Sequence, residues 1–294
     1  ITACVSTGVY AGVNYFRGDT VLGDRKCTEK LTYLESMIDQ YYLGEPALSF
    51  YIEEGDQRLL FDTGYSDVFL RNAASLQIDL TQPMDIVLSH GHNDHTRGLQ
   101  WLKEKHLLAN KRIIAHPDTF NQKIMASLDI GSPLSVQELK ASSSLLLSKT
   151  PIKLNASITY LGEIPQHFSF EPRMPIGMTW HDHKLVPDLL LDDSALVHQS
   201  SKGIFIITGC SHSGICNIIE TAKQLSSKSR ILGVIGGFHL FDVDERLAQT
   251  IDYLKSNQID LLAPCHCVSF HAKAEISKSM RLIEVGSGAS LEII

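Results

Sequence analysis

Four residues of metal-binding type fall within six positions: His90, His92, Asp94 and His95, in the run Ser89-His90-Gly91-His92-Asn93-Asp94-His95. If the chain is extended as far as His92, the His90 and His92 side chains point the same way, because strand side chains repeat every two residues. A turn then carries Asp94 and His95 to a second position beside them. Two imidazoles on one side and a carboxylate plus an imidazole on the other can hold two metal ions close together. Imidazole suits Zn, Fe, Ni and Cu, and carboxylate suits harder ions such as Mn and Mg. A metal pair can lower the pKa of a bridging water and clamp an anionic transition state. Solvated loop histidines are the plainer reading. Four ligand-type residues directly after an apolar strand favour a metal site.

The elements that must position this run follow a pattern. Ala47–Glu53 alternates, turns at Glu54-Gly55-Asp56-Gln57 and returns through Arg58–Asp62, which predicts a β-hairpin. A short strand is expected at Thr2–Thr7, a helix at Ser66–Leu76, a strand at Asp85–Ser89, a helix at Gly98–Lys105 and a strand at Arg112–His116. The C-terminal part reads as strand Ala195–His198, strand Ile204–Thr208, helix Ile215–Leu225, strand Ile231–Ile235, helix Asp244–Asn257 and strand Ile259–Ala263. A last helix and a strand at Arg281–Val285 close the chain. Five of these strand ends carry polar clusters, at Asp62, His90–His95, His212, His239 and His266. In open α/β architectures ligands bind at the carboxyl ends of strands. The segment Gly131–Pro187 holds six of the ten prolines and breaks the pattern, so short strands with an irregular insertion, a lid over the site, are expected there.

The chain has 294 residues, 44% of them hydrophobic, which is enough for a sizeable core and excludes wholesale disorder. No apolar run approaches the ~18 residues of a membrane span. Net charge is −7, and Lys/Arg nowhere cluster, which argues against a nucleic-acid surface but not against a pocket for a small anionic substrate. Cys4, Cys27, Cys210, Cys216, Cys265 and Cys267 are too sparse for a disulfide framework. No signal peptide is visible after Ile1, so a cytoplasmic location is expected. There is no Gly-Lys-Ser/Thr, no Gly-x-Gly-x-x-Gly and no nucleophile elbow.

His90-x-His92-x-Asp94-His95, preceded by Phe61-Asp62-Thr63-Gly64, resembles the metallo-β-lactamase-fold superfamily. Further motifs occur in order: Leu48–Glu53, Ala115-His116-Pro117-Asp118, Asp192-Asp193-x-Ala195-Leu196, Thr208-Gly209-Cys210-Ser211-His212-x-Gly214, Gly236-Gly237-x-His239-Leu240 and Pro264-Cys265-His266-Cys267. As a set they are similar to the branch that includes 7,8-dihydropterin-6-methyl-4-(β-D-ribofuranosyl)aminobenzene-5'-phosphate synthase, over residues 45 to 285. The resemblance implies one α/β domain over residues 1–294, an αββα four-layer sandwich of two mixed sheets faced by helices, with a lid around 131–187. It implies one or two divalent metal ions, Zn first, with Mn or Fe as alternatives.

By the same resemblance, His90, His92 and a later His form one metal position, and Asp94, His95 and a C-terminal His form the other. The superfamily's bridging Asp is expected after a strand, and here Ile204–Thr208 leads to Gly209-Cys210-Ser211-His212 instead. His212 is taken as the later ligand and His266 as the C-terminal one, with His239 competing for either. Asp94 and Asp62 are the carboxylates assigned to the catalytic machinery. Asp62 would orient a ligand His by accepting its other N–H, its alternative being a strand-end turn residue. Cys265 and Cys267 read as buried structural thiols, since alternation turns both away from His266; direct ligation by Cys210 stays a minor alternative. His239, His116 and Arg97 are candidates for substrate contact, with a structural role equally open for His116. His181-Asp182-His183 has metal-like spacing but reads as surface or substrate contact.

The implied function is a metal-dependent hydrolase or transferase acting on an ester, phosphoester or pyrophosphate-bearing small molecule, through a metal-bound hydroxide or a metal-stabilised leaving group. Pro46, where the branch is expected to carry a His nearby, and Arg97, in place of a common Gly, point to a different substrate. A di-iron redox protein and a non-catalytic metal sensor are the alternatives, to be told apart by bound iron with oxygen-dependent chemistry and by a pocket closed to small anions.

Overall fold

The computed structural model describes residues 13–18 and 42–293 other than 182; of 13–18 only the backbone is considered. The expected strand Thr2–Thr7, together with Cys4, Cys27 and Asp182, lies outside the described residues. Strands β1 (Val13–Gly18), β2 (Ser49–Glu54), β3 (Gln57–Phe61), β4 (Met84–Val87) and β5 (Lys111–Ala115) are followed by a small pair, β6 (Lys123–Met125) and β7 (Leu128–Asp129). Next come β8 (Ser144–Leu147), β9 (Ile152–Lys153), β10 (Ile158–Tyr160), β11 (Met178–His181) and β12 (Lys184–Pro187). The C-terminal part supplies β13 (Ala195–Gln199), β14 (Ile204–Thr208), β15 (Ile231–Leu240), β16 (Leu262–Val268) and β17 (Ser290–Leu291). They assemble into a sheet of order β17-β1-β2-β3-β4-β5-β8, a second of order β16-β15-β14-β13-β10-β9 and a small third of order β12-β11-β6-β7.

Side-chain alternation builds the layers. Along β2, Phe50 and Ile52 face the second sheet, where they pack with Phe205 and Ile207 of β14 and Tyr160 of β10. Tyr51 points the other way, into a cluster with Phe69 and Ala73 of helix α1 (Val68–Ser75). A short turn α2 (Asn93–Thr96) precedes α3 (Gly98–Glu104), and α4 (Val136–Ser142) follows; Leu99 and Leu139 from α3 and α4 join that outer cluster. On the far side, Val197, Ile206 and Val234 of the second sheet pack against α5 (Ile215–Ser226), α6 (Glu245–Ser256) and α7 (Phe270–Ser277) through Ile218, Leu254 and Ile276. The result is an αββα sandwich. Among the described residues no helix is long and apolar enough to cross a membrane.

The structure redraws three stretches. Gly131–Pro187 is not one insertion: α4 carries a full capping box from Ser135 and Glu138, β8 extends the first sheet, and β9 and β10 extend the second. Only β11 and β12 leave the sandwich, to join β6 and β7. The last parallel strand is Leu262–Val268 rather than Ile259–Ala263, and Pro264 is tolerated inside it because β16 is an edge strand. Arg281–Val285 is not a strand; Leu282 makes a single bridge to Leu262, and the closing strand is β17, beside β1.

The ends of β3, β4 and β5 and the ends of β14, β15 and β16 lie along one edge, because each trio runs parallel. Glu54 sits at the opposite end of the sandwich. It accepts hydrogen bonds from Asn155 Nδ2 (2.7 Å) and Ser157 Oγ and pairs with His198 Nε2 (3.1 Å), so it ties the two sheets together. Burial pushes the Glu54 carboxyl up, but His198, Ser157 and Asn155 outweigh it and bring it down to about 2 from an ordinary 4.5. A carboxylate depressed in the folded state contributes stability above its unfolded pKa and loses it as pH falls through the folded one. Acid unfolding of the wild type is therefore expected to steepen between pH 4.5 and about 2. In E54Q that part of the stability–pH curve, followed by circular dichroism, should flatten.

Candidate metal centre

Two clusters of donor atoms meet at this edge. In the first, His90, His92 and His212 bring one ring nitrogen each within 4.8 Å of one another. His90 Nε2 lies 3.0 Å from His92 Nδ1 and 3.2 Å from His212 Nε2. In the second, Asp94, His95, Cys210 and His266 do the same. His95 Nε2 is 3.2 Å from Cys210 Sγ and 3.5 Å from Asp94 Oδ2, and His266 Nε2 is 3.3 Å from the same oxygen. The clusters adjoin, since the His90 and His95 rings are 4.3 Å apart.

Two of the donors, His90 and His95, are held from behind. Asp62, fully buried, accepts from Ser89 N (2.7 Å), from Ser89 Oγ (2.8 Å) and from His95 Nδ1 (2.6 Å). That fixes the His95 tautomer with Nε2 turned to the cluster, and Ser89 Oγ, 2.9 Å from His90 Nδ1, does the same for His90. Asp62 has φ +60°, a conformation uncommon for a residue with a side chain, and it directs the carboxylate inward. Both carboxylate oxygens are engaged by Ser89 and His95, which fits the orienting role expected for Asp62. The ends of the two sheets touch where Gly209 meets Ser89; a Cβ there would collide with Ser89 Oγ.

Consecutive aspartates staple the two ligand loops. Asp192 Oδ2 accepts from Gly91 N (2.7 Å), between His90 and His92. Asp193 Oδ2 accepts from Ser213 N (2.9 Å) and Ser213 Oγ, next to His212. Lys123, buried, neutralises this region through Asp188 (2.7 Å) and Asp192 (3.3 Å).

The donor chemistry fits metal ions. Three imidazole nitrogens converging at 3.0–3.2 Å cannot all be paired as donor and acceptor. Nitrogens bound tetrahedrally to one zinc at ~2.0–2.1 Å would stand about 3.3 Å apart. His92 Nε2, His212 Nδ1 and His266 Nδ1 are buried without a hydrogen-bond partner among the described residues. Burial first, then the neighbouring imidazoles, pushes His90 and His212 well below the ordinary range, so both are neutral bases ready to ligate. Burial opposes ionisation of Asp94, yet His95 and His266 beside it hold its carboxyl well below the usual carboxylate range.

Several sequence expectations change. Cys210 is a member of the second cluster rather than a replacement left idle. Cys267 is not turned away: it has φ +46°, which breaks the alternation, and its Sγ is 3.3 Å from Cys210 Sγ. Cys265 is a fully buried core thiol, as read. His239 joins neither cluster; its ring meets that of His212 edge to face, with centroids 4.3 Å apart. It lines, with His212, Arg246, Met174 and Phe241, a cavity of about 220 Å³. His116 is fully buried, with Nδ1 accepting from Asp118 N (3.1 Å) and Nε2 3.3 Å from Glu163, which is a structural arrangement. Arg97 lies over the Tyr65 ring at 4.4 Å, and neither it nor the exposed Pro46 lines this cavity or a larger one near Lys123. His181 lines that larger cavity, away from both clusters. Sequence reasoning missed Lys123 and Arg246 altogether; the Asp192-Asp193 pair was visible as a motif, but its grip on both loops was not.

A four-layer sandwich that gathers imidazoles, a carboxylate and a thiol at the carboxyl ends of strands from both sheets defines an α/β protein of the metallo-β-lactamase type. The chain belongs to the metallo-β-lactamase superfamily, whose sequence profile matches residues 43–138. It is 37% identical over 239 residues to the uncharacterized protein MJ0448 of Methanocaldococcus jannaschii, covering 81% of this chain and 89% of the relative. It is 33% identical over 249 residues to the 7,8-dihydropterin-6-methyl-4-(β-D-ribofuranosyl)-aminobenzene-5'-phosphate synthase of the same organism, covering 79% of this chain and 84% of that one. Among solved structures, Tm1679, described as a metal-dependent hydrolase of the β-lactamase superfamily, is similar with a TM-score of 0.74 at 26% identity, over 87% of this chain and 94% of that one. Zn(2+)-bound PqqB from Methylobacterium extorquens shares the fold, with a TM-score of 0.55 at 12% identity over 100% of both chains.

Proposed function

We propose that the protein is a metal-dependent hydrolase or transferase that acts on a small anionic ester, phosphoester or diphosphate-bearing molecule. The observation that carries this reading is the pair of adjoining donor clusters, His90/His92/His212 and Asp94/His95/Cys210/His266. His90, His92 and His212 would hold one ion, and Asp94, His95, Cys210 and His266 the other. A set of imidazoles with one carboxylate and one thiolate favours zinc over the harder ions. Bound there, divalent ions would supply Lewis acidity and charge neutralisation at the reacting oxygens.

The chain's own residues do the rest. Ser89 and Asp62 fix the ring orientation of His90 and His95. Asp192 and Asp193 hold the two loops at a set separation, so the donors need little rearrangement as charge develops. Asp94, ionised throughout the neutral range, balances the second position. Hydrolysis and displacement of an anionic leaving group both fit this arrangement. The relative named as a synthase makes the transferase version reasonable, and the hydrolase neighbour supports the other.

Elemental analysis of the purified protein, run beside hydrolysis of a phosphodiester and a lactone panel, tests the reading. Close to two equivalents of Zn, Mn or Fe with turnover that a chelator removes is the expected result. No metal after reconstitution would overturn it.

A further inference from the structure

The cavity of about 220 Å³ beside His212 is lined by a cation that forms no ion pair with another described residue. Arg246 stands in the first turn of α6 and lines that cavity. It makes no hydrogen bond or ion pair with another described residue, and its Nε is buried without a partner. A guanidinium has five N–H donors, no acceptor, and stays charged. Leaving a buried donor unpaired is costly, so such a group persists where a ligand supplies the acceptor.

The nearby acids are committed elsewhere. The Glu171 carboxylate, which feels the Arg246 charge, accepts from Cys216 N (3.1 Å) and Asn217 N (2.9 Å). Asp244 caps α6 by accepting from Leu247 N at 2.9 Å. Asp242 is exposed at the rim. His239, which lines the same cavity at φ +49°, has a buried Nδ1 that also lacks a partner among the described residues. Its ring lies against His212, a member of the three-imidazole cluster.

We infer that Arg246 and His239 form an oxyanion-recognising subsite that holds a phosphoryl group of the substrate beside His212. The inference rests on the metalloenzyme reading above and names the substrate class that reading leaves open. Arg246 of α6, His239 of β15 and His212 of the cluster all line this cavity. A tetrahedral oxyanion can meet three directions at once, whereas a planar carboxylate offers two oxygens. The cavity is smaller than a whole drug-sized ligand requires, and suits a phosphoryl head with the remainder of the molecule extending past exposed Met174 and Phe241.

The test is calorimetric titration of the metal-loaded protein with inorganic phosphate and, separately, with acetate. The wild type should bind phosphate more tightly than acetate. R246Q should weaken phosphate binding by about tenfold to a hundredfold, the scale of a lost hydrogen bond to a charged group. R246K should recover part of it, since lysine keeps the charge but not the fork. Metal per chain should be equal in all three. Equal phosphate affinity in wild type and R246Q, or tighter acetate than phosphate, overturns the subsite and leaves the metalloenzyme reading standing. Loss of metal from R246Q would give Arg246 a structural role and overturn it as well. A wild type that takes up no metal would instead sink the reading on which the subsite depends.

Discussion

Replacing His92 or His95 with alanine is expected to abolish metal-dependent turnover, and the two variants should fail differently. H92A removes one nitrogen from the His90/His92/His212 cluster and leaves the other six donors in place. H95A removes the ring that spans Asp62, Asp94 and Cys210. Each should lose about one equivalent of metal, and turnover should fall by at least about a hundredfold, because disturbing only the groups behind a ligand already costs 10–100-fold. Neither should unfold. The H92A cluster is relieved of one of three mutually unpairable neutral nitrogens, so the metal-free variant should be no less stable than the metal-free wild type. Metal content by mass spectrometry, with thermal unfolding in chelator, checks both parts. Full activity in either variant would end the idea.

The second large effect is expected at Asp62. D62N keeps the shape but puts an N–H₂ where Ser89 and His95 need an acceptor. Asp62 accepts three hydrogen bonds with its carboxylate and is fully buried, so the loss leaves donors stranded. Breaking a buried charged pair from one side costs roughly 3–5 kcal/mol. The sign at neutral pH follows from His95: burial lowers its pKa, but Asp94 and Asp62 raise it overall, so removing the Asp62 charge weakens its hold on that proton. D62N should therefore be less stable by about 3 kcal/mol and bind metal about 10–100-fold more weakly. Urea denaturation and competition with a chelator measure the two. A variant with wild-type stability and metal affinity would show that Asp62 is only a turn residue.

Much of this architecture is legible from residues close together in the chain. His90, His92, Asp94 and His95 are readable because their grouping is local, and the hairpin Ser49–Phe61 because its alternation is strong. The strands β8, β9 and β10 are not, since two to four residues carry no usable period. Cys267 escapes because strand alternation assumes a negative φ, and this residue has φ +46°. Lys123 escapes for another reason. An isolated lysine reads as solvated, and only tertiary structure brings Asp188 and Asp192 to its Nζ. The lack of a partner at Arg246 is likewise a property of the folded state that no spacing encodes.

The Asp192-Asp193 step has a consequence for how the protein comes off the ribosome. A chain that has emerged only as far as Gln199 already displays His90, His92, Asp94 and His95, along with both aspartates. It lacks Cys210, His212 and His266, and Asp193 has no Ser213 to grip. Such a nascent chain presents imidazole and carboxylate donors without the softer thiol that Cys210 adds later. Full coordination waits for the second sheet to close on the first. The pocket is thus finished late in synthesis, when the last-made strands bring Cys210, His212 and His266 to the donors already in place.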